Sequence, residues 1–184
     1  MLEQRIQQQF FDSADLKYQA AETLSRPLAD AAQALVACLT SGGRVFAAGP
    51  LAPVFVGELT GRFERDRPGL AAVLLEPPQP WPAAGPMRQL ETLAAPGDLL
   101  VLVATLGEDD LAQALAAASH AKDMTVIALT GRNGGALAGL LGETDVLLAV
   151  PHDRAPRVLE AQLLMLHCLA DAIDLQLLGE QDPS

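Results

Sequence analysis

The run Asp98-Leu99-Leu100-Val101-Leu102-Val103-Ala104 decides the fold. It is apolar at consecutive rather than alternate positions, the pattern of a strand buried on both faces of a parallel sheet. Thr105-Leu106-Gly107-Glu108-Asp109-Asp110 follows it and opens a helical pattern over 109–121. Working outward, the same kind of run recurs as RVFAA at 44–48, LAAVLL at 70–75, MTVIAL at 124–129 and DVLLAV at 145–150. Helical patterns at 52–65, 87–94 and 134–141 lie between them, and a long one at 154–178 closes the chain. Strand–helix alternation of this kind predicts an α/β fold: a three-layer α/β/α sandwich around a five-stranded parallel sheet.

Towards the N-terminus, residues 1–24 are polar overall but carry Leu2, Ile6 and Phe10 at a spacing of four. That narrow stripe predicts a helix packed on one neighbour, such as another subunit. Ser25-Arg26-Pro27 reads as a fresh helix start, with serine as cap and proline in the first turn, and Gly42-Gly43 as its end. The expected organisation is one domain over 1–184. It comprises N-terminal helices at 1–42, a parallel α/β core at 43–150, a C-terminal helix at 151–179 and a tail at 180–184. The stretch Pro77–Pro86 is too proline-rich for helix or central strand and reads as a stiff surface connection.

Composition narrows the function. With 184 residues, half of them hydrophobic, the chain can bury a core of its own. A net charge of −11 repels a phosphate backbone, and 4% aromatic residues are too few for a base-stacking platform; direct nucleic-acid binding is not expected. Cys38 and Cys168 read as two core thiols of a reducing compartment. The polar N-terminus has no signal-peptide core, and no apolar run free of Gly, Pro or charge is long enough to span a bilayer. A cytoplasmic protein without a membrane partner is the expectation.

Several blocks resemble one family. Glu58-Leu59-Thr60-Gly61-Arg62-Phe63-Glu64-Arg65-Asp66-Arg67-Pro68-Gly69 resembles the helix and exit turn of the phosphoheptose isomerases. Asp123 through Gly135, Leu137 through Gly142, and Val150-Pro151 through Arg157 to Ile173-Asp174 continue the match. The family is the SIS (sugar isomerase) domain, whose close subfamilies are phosphoheptose isomerase and the non-enzymatic DnaA initiator-associating protein. The resemblance implies a homotetramer (or a homodimer) built on the N- and C-terminal helices.

Isomerising a sugar phosphate needs a grip on the phosphate, and a base and an acid to move protons. By resemblance, Glu58 falls on the family's catalytic Glu and His167 on its catalytic His. Read on their own, Glu58 is a solvated or interface carboxylate and His167 a core or interface histidine. Val54 and Leu159 fall where some members carry a metal-binding His and Gln, so neither metal nor cofactor is expected. Gly49, Thr105 and Gly107 remain from the family's two phosphate loops. The first loop, Ala48-Gly49-Pro50-Leu51-Ala52-Pro53-Val54, is shortened, and its prolines remove donors. The second gains Glu108, Asp109 and Asp110, and a carboxylate about 5 Å from a phosphate dianion costs on the order of 1–3 kcal/mol.

These losses set the expectation of a non-catalytic scaffold or regulator like the DnaA initiator-associating protein, with a degenerate active site in which Glu58 and His167 are vestigial. It would bind a protein partner, DnaA by resemblance, as an oligomer, with Leu177 and Leu178 as contact residues; the other reading of the two leucines is a cap on the core. The alternative is a phosphosugar isomerase acting on sedoheptulose 7-phosphate, or a binder of another carbohydrate derivative. A mixed tetramer with an intact paralogue also fits, because sites in this family lie between subunits.

Overall fold

The computed structural model describes residues 1–75 and 85–180. Its elements run α1 (Leu2–Thr40), β1 (Val45–Ala48), α2 (Ala52–Thr60), β2 (Ala72–Leu74), α3 (Gly85–Leu93), β3 (Leu99–Val103), α4 (Asp110–His120), β4 (Thr125–Gly131), α5 (Gly135–Ala138), β5 (Val146–Val150) and α6 (Ala155–Leu178). All five strands are parallel, in the order β2-β1-β3-β4-β5. The three-layer sandwich expected from the apolar runs is the fold observed.

The reason is visible in the alternation of β1 and β3. Val45, Ala47, Leu99, Val101 and Val103 face a core shared with α1, α2 and α6. Phe46, Ala48, Leu100 and Leu102 face the other core, with Leu90 of α3, Leu115 of α4 and Leu137 of α5. Two covered faces require strands apolar at every position. Each fully buried side chain of this size, such as Phe55, Leu35 or Leu59, contributes about 1.5–3 kcal/mol.

Buried carboxylates pin the strand entrances. Asp98 accepts from the N–H groups of Arg44 (2.8 Å) and Ala95 (2.9 Å) and pairs with the Arg44 guanidinium at 3.3 Å. Asp145 accepts from Val126 N–H and Gly142 N–H, both at 2.7 Å, and meets His120 Nε2 at 2.7 Å.

The N-terminal region departs from expectation. Instead of two helices with a start at Ser25-Arg26-Pro27, α1 is one helix of 39 residues with Pro27 inside it. An interior proline costs about 3 kcal/mol. The buried face Leu16, Ala20, Leu24, Ala31 and Leu35 continues through the proline, and packing of that face holds the helix together. The helix expected over 52–65 stops at Thr60, and α5 is a single turn between glycines rather than a helix over 134–141. Of the proline-rich stretch, residues 77–84 lie outside the described residues. Gly85 and Pro86 belong to the first turn of α3, where proline costs nothing because its missing N–H would have no partner. Residues 181–184 of the expected tail also lie outside the described residues. Cys38 is buried as expected, but Cys168 is exposed, because it sits on the face of α6 turned from the core.

Candidate active site

A parallel sheet of this order has its topological switch point between β1 and β3, where the chain leaves the two strands in opposite directions and opens a crevice at their C-terminal ends. Two adjoining cavities occupy that place. One, of about 230 Å³, is lined by Gly49, Leu75, Pro86, Asp109 and Leu115 among others. The second, of about 310 Å³, is lined by Pro50, Thr105, Leu106, Gly107, Glu108 and Ala155 among others. Gly49, Thr105 and Gly107 thus all stand at the crevice.

The two glycines are there because backbones nearly touch. Gly49 has φ +110°, and a Cβ on it would stand 1.9 Å from the Val103 carbonyl oxygen. Gly107 has φ +74°, and a Cβ would stand 1.9 Å from the Gly134 carbonyl oxygen. Both positions demand glycine on steric grounds alone.

The two loops differ in the donors they offer. At the start of α2 the N–H groups of Ala52, Val54 and Phe55 are spent on Gly49 and Leu51 carbonyls, and Pro50 and Pro53 have none. That agrees with a donor-poor first loop. The second loop is more hospitable than its residue types suggest. The N–H groups of Thr105, Leu106, Gly107 and Glu108 have no partner among the described residues, and successive free N–H groups in a loop suit an anion. Asp109 caps α4 by accepting from Leu111 N–H at 2.9 Å, and the Glu108 carboxylate lies against Gly135. Asp109 is thus spent in part on the helix cap, while both acids also line the crevice.

Glu58 and His167 come together. Glu58 is in the last turn of α2 and His167 is midway along α6. His167 Nε2 lies 3.2 Å from Glu58 Oε1, and the Phe63 ring leans on the imidazole with ring centroids 5.6 Å apart. Glu58 is the sheltered member, with 14% of its side chain exposed against 38% for His167. Its Oε2 is buried with no hydrogen-bond partner. Burial pushes the Glu58 carboxyl above its ordinary pKa, and the neighbouring His167 opposes that only in part. A carboxylate made more basic and an imidazole within hydrogen-bond reach form a set able to move protons near neutral pH. Neither residue lines the two crevice cavities.

The remaining candidates separate. Leu177 packs on the core while Leu178 is exposed, so the pair does not form one surface. His152 Nδ1 accepts from Arg154 N–H at the start of α6. Val54 and Leu159 carry no donor atom, and the described residues hold no cluster of three His, Cys, Asp or Glu side chains placed to bind a metal ion. The residues present do not fit the metal found in some members of the family.

Arg67 is a further residue of this region, and its sequence block carries no sign of its role. Its buried guanidinium meets Asp174, far along the chain on α6, at 2.5 Å. Nothing in the local sequence signals a partner so remote.

Comparison with known proteins agrees with this geometry. A SIS domain family model matches residues 9–131. The phosphoheptose isomerase of Methylibium petroleiphilum is 52% identical over 99% of this chain and 98% of its own. That of Azoarcus sp. is 38% identical over 97% of this chain and 98% of its own. The solved phosphoheptose isomerase from Neisseria gonorrhoeae superposes with a TM-score of 0.87 at 35% identity, covering 95% of this chain and 99% of that one. The Francisella tularensis enzyme gives 0.88 at 31% identity, covering 95% and 98%. These findings overturn the expectation of a non-catalytic scaffold of the initiator-associating kind. Identity of 52% along the whole length is to a protein named for the enzymatic activity, and the two residues taken as vestigial stand within hydrogen-bond reach.

Proposed function

The chain belongs to the SIS-domain phosphoheptose isomerases, and from that premise we propose that it is a phosphosugar isomerase whose substrate is sedoheptulose 7-phosphate. The observation that carries the reading is the Glu58–His167 pair, 3.2 Å apart, with one carboxylate oxygen left unpaired. Ionised Glu58 removes the proton from the carbon beside the substrate carbonyl, and the same proton, returned to the neighbouring carbon, completes the exchange of ketose for aldose. His167 gives and takes the proton at the oxygens. Burial keeps Glu58 basic enough for a weakly acidic C–H. No step uses a metal, since Val54 and Leu159 offer no ligand.

The free N–H groups of 105–108 are the grip for the phosphate. Because Glu58 and His167 do not line that crevice, the reading includes assembly: the crevice of one copy faces the Glu58–His167 pair of another. The exposed Leu2, Ile6 and Phe10 stripe of α1 is the surface that brings copies together, as a homotetramer or a homodimer.

The test is turnover of sedoheptulose 7-phosphate by the purified protein, treated beforehand with a chelator, with light scattering to read its assembly. Turnover that disappears in E58Q and H167A supports the reading. A wild-type protein that neither turns over nor binds millimolar substrate refutes it.

A further inference from the structure

We propose that Arg67 and Asp174 form a positioning clamp that sets the geometry of the Glu58–His167 pair; the proposal rests on the isomerase reading above. Arg67 lies in the turn after α2, beyond the helix that carries Glu58. Its Nη2 donates to the carbonyl oxygen of Glu58 itself at 2.9 Å, and its Nη1 to that of Leu59 at 2.9 Å. Its Nε donates to Asp174 Oδ1 at 2.5 Å. Asp174 is on α6, seven residues after His167 and so on nearly the same face, two turns away. One rigid guanidinium therefore bonds the main chain of one reacting residue and the helix that carries the other. It also satisfies carbonyls in the last turn of α2, the helix that Gly61 caps.

The clamp contributes position more than stability. The two side chains are 2% and 1% exposed, and Asp174 Oδ2 has no partner. A buried ion pair left partly unsatisfied is seldom a net gain over well-packed apolar residues. The two helices already pack together, with Phe55, Leu59, Leu166 and Ile173 in one buried apolar cluster. An apolar contact lets helices slide, whereas a planar fork with fixed donor directions does not. Neighbouring arginines do other things: Arg62 meets Asp66 in an exposed pair, and Arg65 donates to the Gly179 carbonyl.

Two variants test this. R67K keeps the charge beside Asp174 but cannot reach both helices as a fork. R67M/D174L removes both charges and leaves none buried alone, so it folds if packing holds the helices. Circular dichroism checks folding, and R62A is the control on an exposed pair. In both variants kcat for sedoheptulose 7-phosphate is expected to fall roughly 10- to 100-fold, with KM within about threefold, as for misplaced rather than missing groups. The carbon-13 titration of the Glu58 carboxyl should also move down towards its ordinary value as the side chain gains water. R62A should change neither. Folded R67K and R67M/D174L proteins with wild-type kcat and an unmoved Glu58 titration would overturn the clamp. An inactive wild-type protein would overturn the isomerase reading instead, and the Glu58 titration would then judge the clamp alone.

Discussion

Replacing Gly49 by alanine tests the architecture of the crevice at one atom. A Cβ at this position would stand 1.9 Å from the Val103 carbonyl oxygen, inside the 3.0 Å that real Cβ contacts respect. The exits of β1 and β3 must then part by about 1 Å, with an overpacking cost of about 1–3 kcal/mol. The left-handed backbone adds about 1–3 kcal/mol of strain for a residue with a Cβ. Together these give a loss of roughly 2–6 kcal/mol. For a chain of this length each kcal/mol lowers Tm by about 2–4 °C, so G49A should melt roughly 4–24 °C below the wild type. Gly42 provides the control. Its φ is +86°, yet nothing lies within 4 Å of its Cβ position, so G42A carries the backbone strain alone. The assay is thermal unfolding by circular dichroism at equal protomer concentration, because assembly raises Tm with concentration. If G49A melts no lower than G42A, the close approach of the two strand exits does not exist.

Other outcomes follow from the same structure. E58Q should lower kcat by about 10²- to 10⁴-fold, and wild-type activity should fall on the acid side as Glu58 protonates at its raised pKa; an acid limb that is the same in E58Q at its residual rate would assign it to another group. Stability has the opposite sign. A raised folded-state pKa means that ionised Glu58 costs stability, in full above that pKa, and the cost disappears as pH falls towards the ordinary value of 4.5. E58Q should therefore be more stable than wild type at neutral pH, with the gap closing on acidification, and urea unfolding that shows a constant gap would contradict the buried carboxylate. D98A removes the acceptor for two backbone N–H groups and the partner of Arg44 and should cost about 2–4 kcal/mol; a loss under about 1 kcal/mol would mean that water replaces the carboxylate freely.

The strands were legible because a doubly covered sheet leaves a mark that does not depend on context: consecutive apolar residues, as at Leu99–Val103. The contact that holds the last carbonyls of α2 was not, because it runs through Arg67 to Asp174, 107 residues away. Pro27 misled for a related reason. The local rule that proline opens helices is sound, but it loses to a packed face running from Leu16 to Leu35. At the site, resemblance located Glu58 and His167, while nothing in their spacing announces a contact. At the second loop the residue types show the carboxylates but not the backbone N–H groups beside them. That Asp109 caps α4 is likewise a matter of geometry rather than of residue type.

The pairing of α1 with α6 also sets an order of events during synthesis. α1 is made well before the α6 surface against which it packs. About 115 residues of chain lie between them, which at about 5–20 residues per second is roughly 6–23 s of translation. Through that interval a helix of 39 residues has only β1, and later β5, of its own chain against its apolar side, and lacks the cover of α6. The cover of the N-terminal helix is therefore completed only when α6 has been released.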